Sequence, residues 1–237
     1  MGLIGTSDSS NGKPSMWDSL RTFAQTKPVW GTCAGMILLA EKCIGTSAVI
    51  EDGQSLIGGV DITVCRNYFG SQISSFEMAT PPPPGDDDDD EGSTSFPGIF
   101  IRAPAILSAG PDVEVIGKVV ATPCRQAAVT LEELERKIAA GIQVVQMGVV
   151  DALERGSDNT LQYKVIMEGD TTAQLREDER GSIITLPGAA PGSTAREVIC
   201  AARKGNILCT AFHPELTDDY RWHRYFVSMV EKGQKAS

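Results

Sequence analysis

Apolar residues recur at helical spacing at Met16, Trp17, Leu20, Phe23 and Ala24, and Ser15-Met16-Trp17-Asp18 has the form of a capping box, so a short amphipathic helix is expected there. Pro28-Val29-Trp30 is a brief extended apolar segment. Gly31-Thr32-Cys33-Ala34-Gly35 then turns the chain into a second helix, expected over residues 36–43 and closed near Gly45. Loose alternation over residues 56–65, and β-rich runs at 98–102 and 113–120 bounded by Pro and Gly, predict strands. Thr130 and Glu133 form a capping box ahead of a helix over 130–140 that stops at Gly141. Residues 161–166 read as a strand and 176–194, polar and rich in Gly and Pro, as a loop. Residues 206–212 form a buried strand that runs straight into His213. Beyond Asp219, Trp222, His223, Phe226, Val227 and Val230 mark one face of a C-terminal helix. Short strands alternating with helices, without an internal repeat, place the chain in the α/β class.

Composition narrows what such a domain can do. The chain has 237 residues, 41% of them hydrophobic and 22% charged, enough for one domain with a sizeable core. No apolar run approaches the roughly 20 residues that span a bilayer. The N-terminal residues lack the basic region and long apolar core of a secretory signal, so a cytoplasmic location is expected and a membrane role is not. Net charge is −10, yet Asp86 to Asp90 and Glu91 supply six of the negative charges from one segment, leaving about −4 elsewhere. No basic stripe is present to displace counterions from a phosphate backbone, so nucleic acid is not an expected partner. Residues 81–96 (PPPPGDDDDDEGSTSF) cannot bury enough apolar surface to offset their ordering entropy and read as a solvated surface loop. They lack the ligand spacing and turn glycine of a calcium loop. The six cysteines show no C-x-x-C pair and no zinc-type Cys/His cluster, so they read as reduced thiols, and no metal is expected.

One of those thiols stands apart. Gly31, Cys33 and Gly35 form the thiol version of a nucleophile elbow, in which flanking glycines permit a sharp, crowded turn that presents the side chain at a helix N-terminus. Backbone amides and the helix dipole there favour the thiolate. Taken alone, so short a pattern fits a buried structural cysteine equally well. The chain has only two histidines to pair with it. His223 lies in the periodic face of the last helix and reads as a packing or surface residue. His213 ends a strand and is followed by Pro214 and Glu215, so a carboxylate two residues away can accept from the second imidazole nitrogen and stabilise the imidazolium. In isolation a His-Pro-Glu segment would read as an exposed turn; downstream of an elbow it reads as the rest of a triad.

Four blocks extend this pattern: Gly31-Thr32-Cys33-Ala34-Gly35-Met36-Ile37-Leu38-Leu39-Ala40; Arg66-Asn67-Tyr68-Phe69-Gly70-Ser71-Gln72 with Ser75-Phe76-Glu77; Phe100-Ile101-Arg102-Ala103-Pro104; and Phe212-His213-Pro214-Glu215-Leu216-Thr217. In this order they resemble the PdxT/SNO family of class I glutamine amidotransferases, the glutaminase subunits of pyridoxal 5′-phosphate synthase. The resemblance implies a three-layer α/β/α, flavodoxin-like sheet in a single domain over residues 1–237. It also implies hydrolysis of L-glutamine to glutamate and ammonia through a Cys33 thioester, with no cofactor. The ammonia would pass to the synthase (lyase) subunit in a hetero-oligomer. Cys33 would be the nucleophile, His213 the general acid/base and Glu215 its orienting carboxylate, while Arg66, Ile101 and Arg102 would bind glutamine. The amide of Ala34, directly after the nucleophile, would donate to the oxyanion.

The chain also departs from that family. The strand-helix-strand unit and Gly-Gly-Glu-Ser loop that precede the family's elbow have no counterpart before Cys33, and Gly5-Thr6-Ser7 does not replace them. The expectation is an N-terminally truncated domain, poorly stable and weakly active, because loss of one oxyanion donor costs about 100- to 1000-fold in turnover. Residues 81–96 and about 123–193 exceed the family core and are expected to be surface insertions. Two rival readings stand beside the glutaminase. One is a non-catalytic docking or regulatory subunit of the same complex. The other is a cysteine peptidase or different amidotransferase with the same elbow, against which the blocks around Arg66 and Arg102 weigh.

Overall fold

The computed structural model describes residues 16–45, 56–70, 75–85, 95–140, 154–155, 161–162, 186–189 and 193–235. The expected first helix is α1 (Met16–Thr26), followed by β1 (Val29–Thr32) and the elbow. Helix α2 (Ala34–Leu39) is shorter than its apolar pattern suggests. Ala40 leaves the helix with φ −69° and ψ 148°, and residues Ala40–Ile44 become β2, which pairs in parallel with β3 (Val60–Cys65). Cys43 and Ile44 are thereby buried in the sheet, so tertiary burial overrides the local helical preference of the segment.

Next come β4 (Ser75–Thr80) and β5 (Phe96–Ile101), which pair with each other as a separate antiparallel ribbon, and then β6 (Ala105–Ala109) and β7 (Glu114–Ala121). Helix α3 (Arg125–Ala139) begins five residues earlier than the capping-box reading places it. Cys124 is the residue in front of its first turn, and Thr130 lies inside the helix, its hydroxyl donating to the Gln126 carbonyl at 3.1 Å. Ala127, Leu131 and Leu134 form its buried stripe at helical spacing. Two short paired strands, β8 (Glu154–Arg155) and β9 (Leu161–Gln162), precede β10 (Arg196–Lys204), β11 (Ile207–Thr210) and α4 (Arg221–Lys235). On α4 the buried residues are Trp222 and Met229, while Val227, expected on the inner face, is exposed.

The main sheet runs β1-β11-β10-β6-β3-β2, with β7 also paired to β10. The β1–β11 and β2–β3 pairs are parallel, and the pairs that β10 makes with β11, β6 and β7, like that between β3 and β6, are antiparallel. The sheet is therefore mixed, within the α/β class expected. Strand β10, which joins three others, was not foreseen from sequence; its run Val198-Ile199-Cys200-Ala201-Ala202 is buried throughout and shows no alternation. Its first residue, Arg196, is 6% exposed and donates to Glu135 of α3 at 2.6 Å and to the Pro187 carbonyl at 2.7 Å, tying helix to sheet.

Among the described residues no helix is long and apolar enough to cross a membrane, and no three His, Cys, Asp or Glu side chains converge as metal ligands. The acidic run Asp86 to Asp90 with Glu91, the segment Gly5-Thr6-Ser7, and most of the expected strand over 161–166 and loop over 176–194 lie outside the described residues.

Candidate active site

The elbow forms where β1 ends. The Cys33 amide donates to the Thr210 carbonyl at 2.9 Å, so the parallel pairing of β1 with β11 continues one residue into the turn. Cys33 itself takes φ 48° and ψ −104°, a conformation that L residues rarely adopt. Gly31 is needed for this turn, because a Cβ there would lie 2.6 Å from Leu39 Cδ1 and 2.7 Å from the Gly35 carbonyl carbon. Gly35 faces open space, so only one of the two flanking glycines is sterically required.

Three non-glycine residues among those described have positive φ: Cys33 (48°), Asn67 (52°) and Arg102 (48°). Each sits in a different one of the blocks picked out from the sequence. Such conformations cost about 1–3 kcal/mol each and persist only where the surrounding structure imposes them. Replacing Cys33 by Gly should relieve that strain, whereas Ala keeps it. We expect Cys33→Gly to be more stable than Cys33→Ala by about 1 kcal/mol in urea unfolding. The reverse order would show that the turn is relaxed.

Strand β5 brings two of the blocks together. Its Ile101 carbonyl is 3.8 Å from Cys33 Sγ, and its Ile99 carbonyl accepts the His213 amide at 2.8 Å. Sequence reasoning missed Ile99, since a backbone acceptor leaves no side-chain signature. His213 follows β11 and precedes the single 3₁₀ turn Pro214–Leu216. Its Nδ1 lies 2.7 Å from Glu215 Oε1, which leaves Nε2 as the atom free to exchange protons with a reacting group. Among the described residues, Cys33 Sγ makes no direct hydrogen bond to the imidazole; its contact is with Ile101.

Arg102 follows Ile101, and its charge acts on Cys33. Arg66 follows β3. The pairing of Cys65 with Ala105 and the bond from the Phe69 amide to the Ala103 carbonyl (3.2 Å) dock the turn containing Arg66 onto the segment containing Arg102. The Arg66 guanidinium exerts its field on the Cys43 thiol rather than on Cys33. Ala34 supplies the first helical amide after the nucleophile, and that amide pulls the pKa of the Cys33 thiol down. The structure thus gathers Cys33, Ala34, Ile101, Arg102, His213 and Glu215 around β5, while Arg66 sits beside Ile44, its amide donating to the Ile44 carbonyl at 3.0 Å.

The electrostatics differ from the simple elbow expectation. Burial pushes the Cys33 thiol above its ordinary pKa of about 9.0. The Ala34 amide and Arg102 pull it down without overcoming burial, and Glu215 pushes it up. Cys43, forced up to about 11, and Cys65, Cys200 and Cys209, each forced up to about 12 by burial, are less available still.

The sequence matches the SNO glutamine amidotransferase family over residues 10–131 and 177–232. It is 36% identical over 227 residues to "Probable pyridoxal 5'-phosphate synthase subunit PDX2" of Arabidopsis thaliana, covering 94% of this chain and 67% of that protein. It is 33% identical over 206 residues to "Pyridoxal 5'-phosphate synthase subunit PdxT" of Methanocella arvoryzae, covering 87% of this chain and 61% of that one. A PDX2 relative from Dictyostelium discoideum is spanned over 55% of its length, at 30% identity.

Proposed function

Since the chain belongs to the SNO glutamine amidotransferase family, we propose that it hydrolyses L-glutamine to glutamate and ammonia and passes the ammonia to a pyridoxal 5′-phosphate synthase subunit. The single observation that carries this reading is the convergence on one strand, β5, of the contacts to Cys33 and to the His213 amide, with Glu215 on the far nitrogen of the imidazole. An elbow thiol without this partner would have no base, and with its pKa above 9.0 it would hold little thiolate at neutral pH.

In the proposed reaction His213 Nε2 takes the Cys33 proton as sulfur attacks the carboxamide carbon. The oxyanion forms next to the Ala34 amide. Collapse of this tetrahedral species breaks the C–N bond, and His213 returns the proton to the departing ammonia, leaving a thioester on Cys33. His213 then takes a proton from water, whose oxygen adds to the thioester; glutamate leaves and the thiol is restored. Arg66 and Arg102 are suited to the substrate carboxylate, and the Ile101 carbonyl to its ammonium group. Glu215 holds the tautomer and stabilises the imidazolium, as a triad carboxylate does.

The experiment is ammonia release from glutamine with and without the synthase subunit, combined with labelling by a glutamine-mimicking electrophile. The expected outcome is turnover together with stoichiometric label on Cys33 and none on Cys43, Cys65, Cys200 or Cys209, lost in Cys33→Ala. Binding to the synthase subunit without turnover or label would establish the docking-subunit reading instead. Peptide cleavage without glutamine hydrolysis would establish a peptidase.

A further inference from the structure

Cys33 and His213 lie on turns far apart in sequence, yet one residue touches both turns. Thr210 ends β11 and is fully buried. Its carbonyl accepts the Cys33 amide at 2.9 Å. Its hydroxyl accepts from Trp30 Nε1 at 3.1 Å and donates to the Phe212 carbonyl at 3.3 Å. Trp30 stands three residues before the nucleophile, and Phe212 directly before the imidazole. The indole is itself held against α4, with ring centroids 5.4 Å from His223 and 5.5 Å from Phe226.

We infer that Thr210 is a positioning residue for glutamine hydrolysis: by bridging the Trp30 indole and the Phe212 carbonyl, its hydroxyl sets the separation of the Cys33 thiol from the His213 imidazole. The inference rests on the glutaminase reading for its kinetic consequence, although the geometry stands without it. A hydroxyl is the group this node requires, since one atom must accept from an N–H on one side and donate to a C=O on the other. Valine has nearly the same shape and can do neither, so it leaves a half-buried indole N–H and a buried carbonyl without these partners. The bridge that fixes the two turns relative to each other is then lost. A misplacement of about 1 Å at a reacting pair costs up to about 100-fold in rate. A threonine that served stability alone would lower the unfolding midpoint and leave the thiol–imidazole pair unchanged.

The test uses the full chain as Thr210→Val, Thr210→Ser and Trp30→Phe. Glutamine hydrolysis is measured together with the synthase subunit, and alkylation of Cys33 by iodoacetamide is followed against pH on the chain alone. Thr210→Val is expected to lower kcat about tenfold with KM unchanged, the signature of a loss felt only in the transition state. Alkylation near neutral pH should slow in parallel and its profile move to higher pH, because the imidazole no longer sits where it can take the proton. Thr210→Ser should restore both to within about twofold. Trp30→Phe, which removes only the indole donor, should fall between.

A folded Thr210→Val chain with parental kcat and alkylation profile overturns the inference, as does Thr210→Ser impaired as badly as valine. If the valine variant does not fold, Trp30→Phe decides: a parental alkylation profile rejects the inference, and a shifted one supports it. If the parent chain releases no ammonia with the synthase subunit, the glutaminase reading has failed. The alkylation profiles then still report whether Thr210 sets the thiol–imidazole geometry.

Discussion

Replacing His213 by Ala is expected to lower glutamine hydrolysis at neutral pH by about 1000- to 10,000-fold, the range for removing a general acid/base from a triad. The reason lies in the thiol as much as in the imidazole. Burial holds Cys33 above pKa 9.0, and neither the Ala34 amide nor Arg102 restores the balance. A thiol raised above its ordinary value holds little thiolate at neutral pH. Without His213, both the remaining turnover and the alkylation of Cys33 should therefore climb with rising pH through the alkaline range, as deprotonation by solvent supplies the thiolate. The direction follows from the sign of the shift: a raised pKa favours the neutral form until pH exceeds it. The parent should not show this slope in turnover, because in the proposed mechanism its proton passes to the imidazole. A pH series of ammonia release and alkylation in parent and variant checks both statements. A loss of less than about tenfold, or a pH-independent residue, would mean that the thiolate arises by another route.

The second large effect concerns a backbone position. Gly31→Ala is expected to destabilise the chain by about 3 kcal/mol and to reduce turnover of what folds by about 100-fold. The added Cβ would meet Leu39 Cδ1 at 2.6 Å and the Gly35 carbonyl carbon and oxygen at 2.7 and 2.8 Å. A side chain can rotate away from such a clash; the backbone of Gly35 cannot. Relief must come from lifting α2 off β1, which carries Cys33 and Ala34 with it. Gly35→Ala is the matched control. Nothing lies within 4 Å of its would-be Cβ, and a helical alanine is favoured over glycine by about 0.5–1 kcal/mol. Urea midpoints of the two variants should therefore move in opposite directions. Equal destabilisation would refute this account of the turn.

These two positions illustrate what could be read from the amino-acid sequence. The elbow, the His-Pro-Glu segment and the α/β class were legible because they depend on residue types whose chemistry is local: glycines that allow a tight turn, a thiol, an imidazole with a carboxylate two residues on. The asymmetry between Gly31 and Gly35 was not legible, since it depends on how close α2 comes to β1. Strand β10 was missed because a strand buried on both faces shows a continuous apolar run instead of alternation. Helix α2 is shorter than its apolar pattern suggests for a related reason, as residues 40–44 suit either state and pairing with β3 decides. The start of α3 was misplaced because Thr130 and Glu133 imitate a cap, while Thr130 in fact bonds back to Gln126 within the helix. Within the site, Ile99 and Thr210 were invisible: one acts through a carbonyl, the other through a hydroxyl whose partners are distant in sequence.

The chain of aromatic rings that ends at Trp222 has a practical consequence. Phe76, Phe100, Phe212 and Trp222 follow one another at centroid distances of 5.3, 5.9 and 5.5 Å, and the indole of Trp222 is wholly shielded from water. An indole in such surroundings emits toward the blue. Since Phe212 adjoins His213 in sequence, the colour of that emission, isolated by replacing Trp17 and Trp30 with Phe, offers an optical gauge of the packing beside the site.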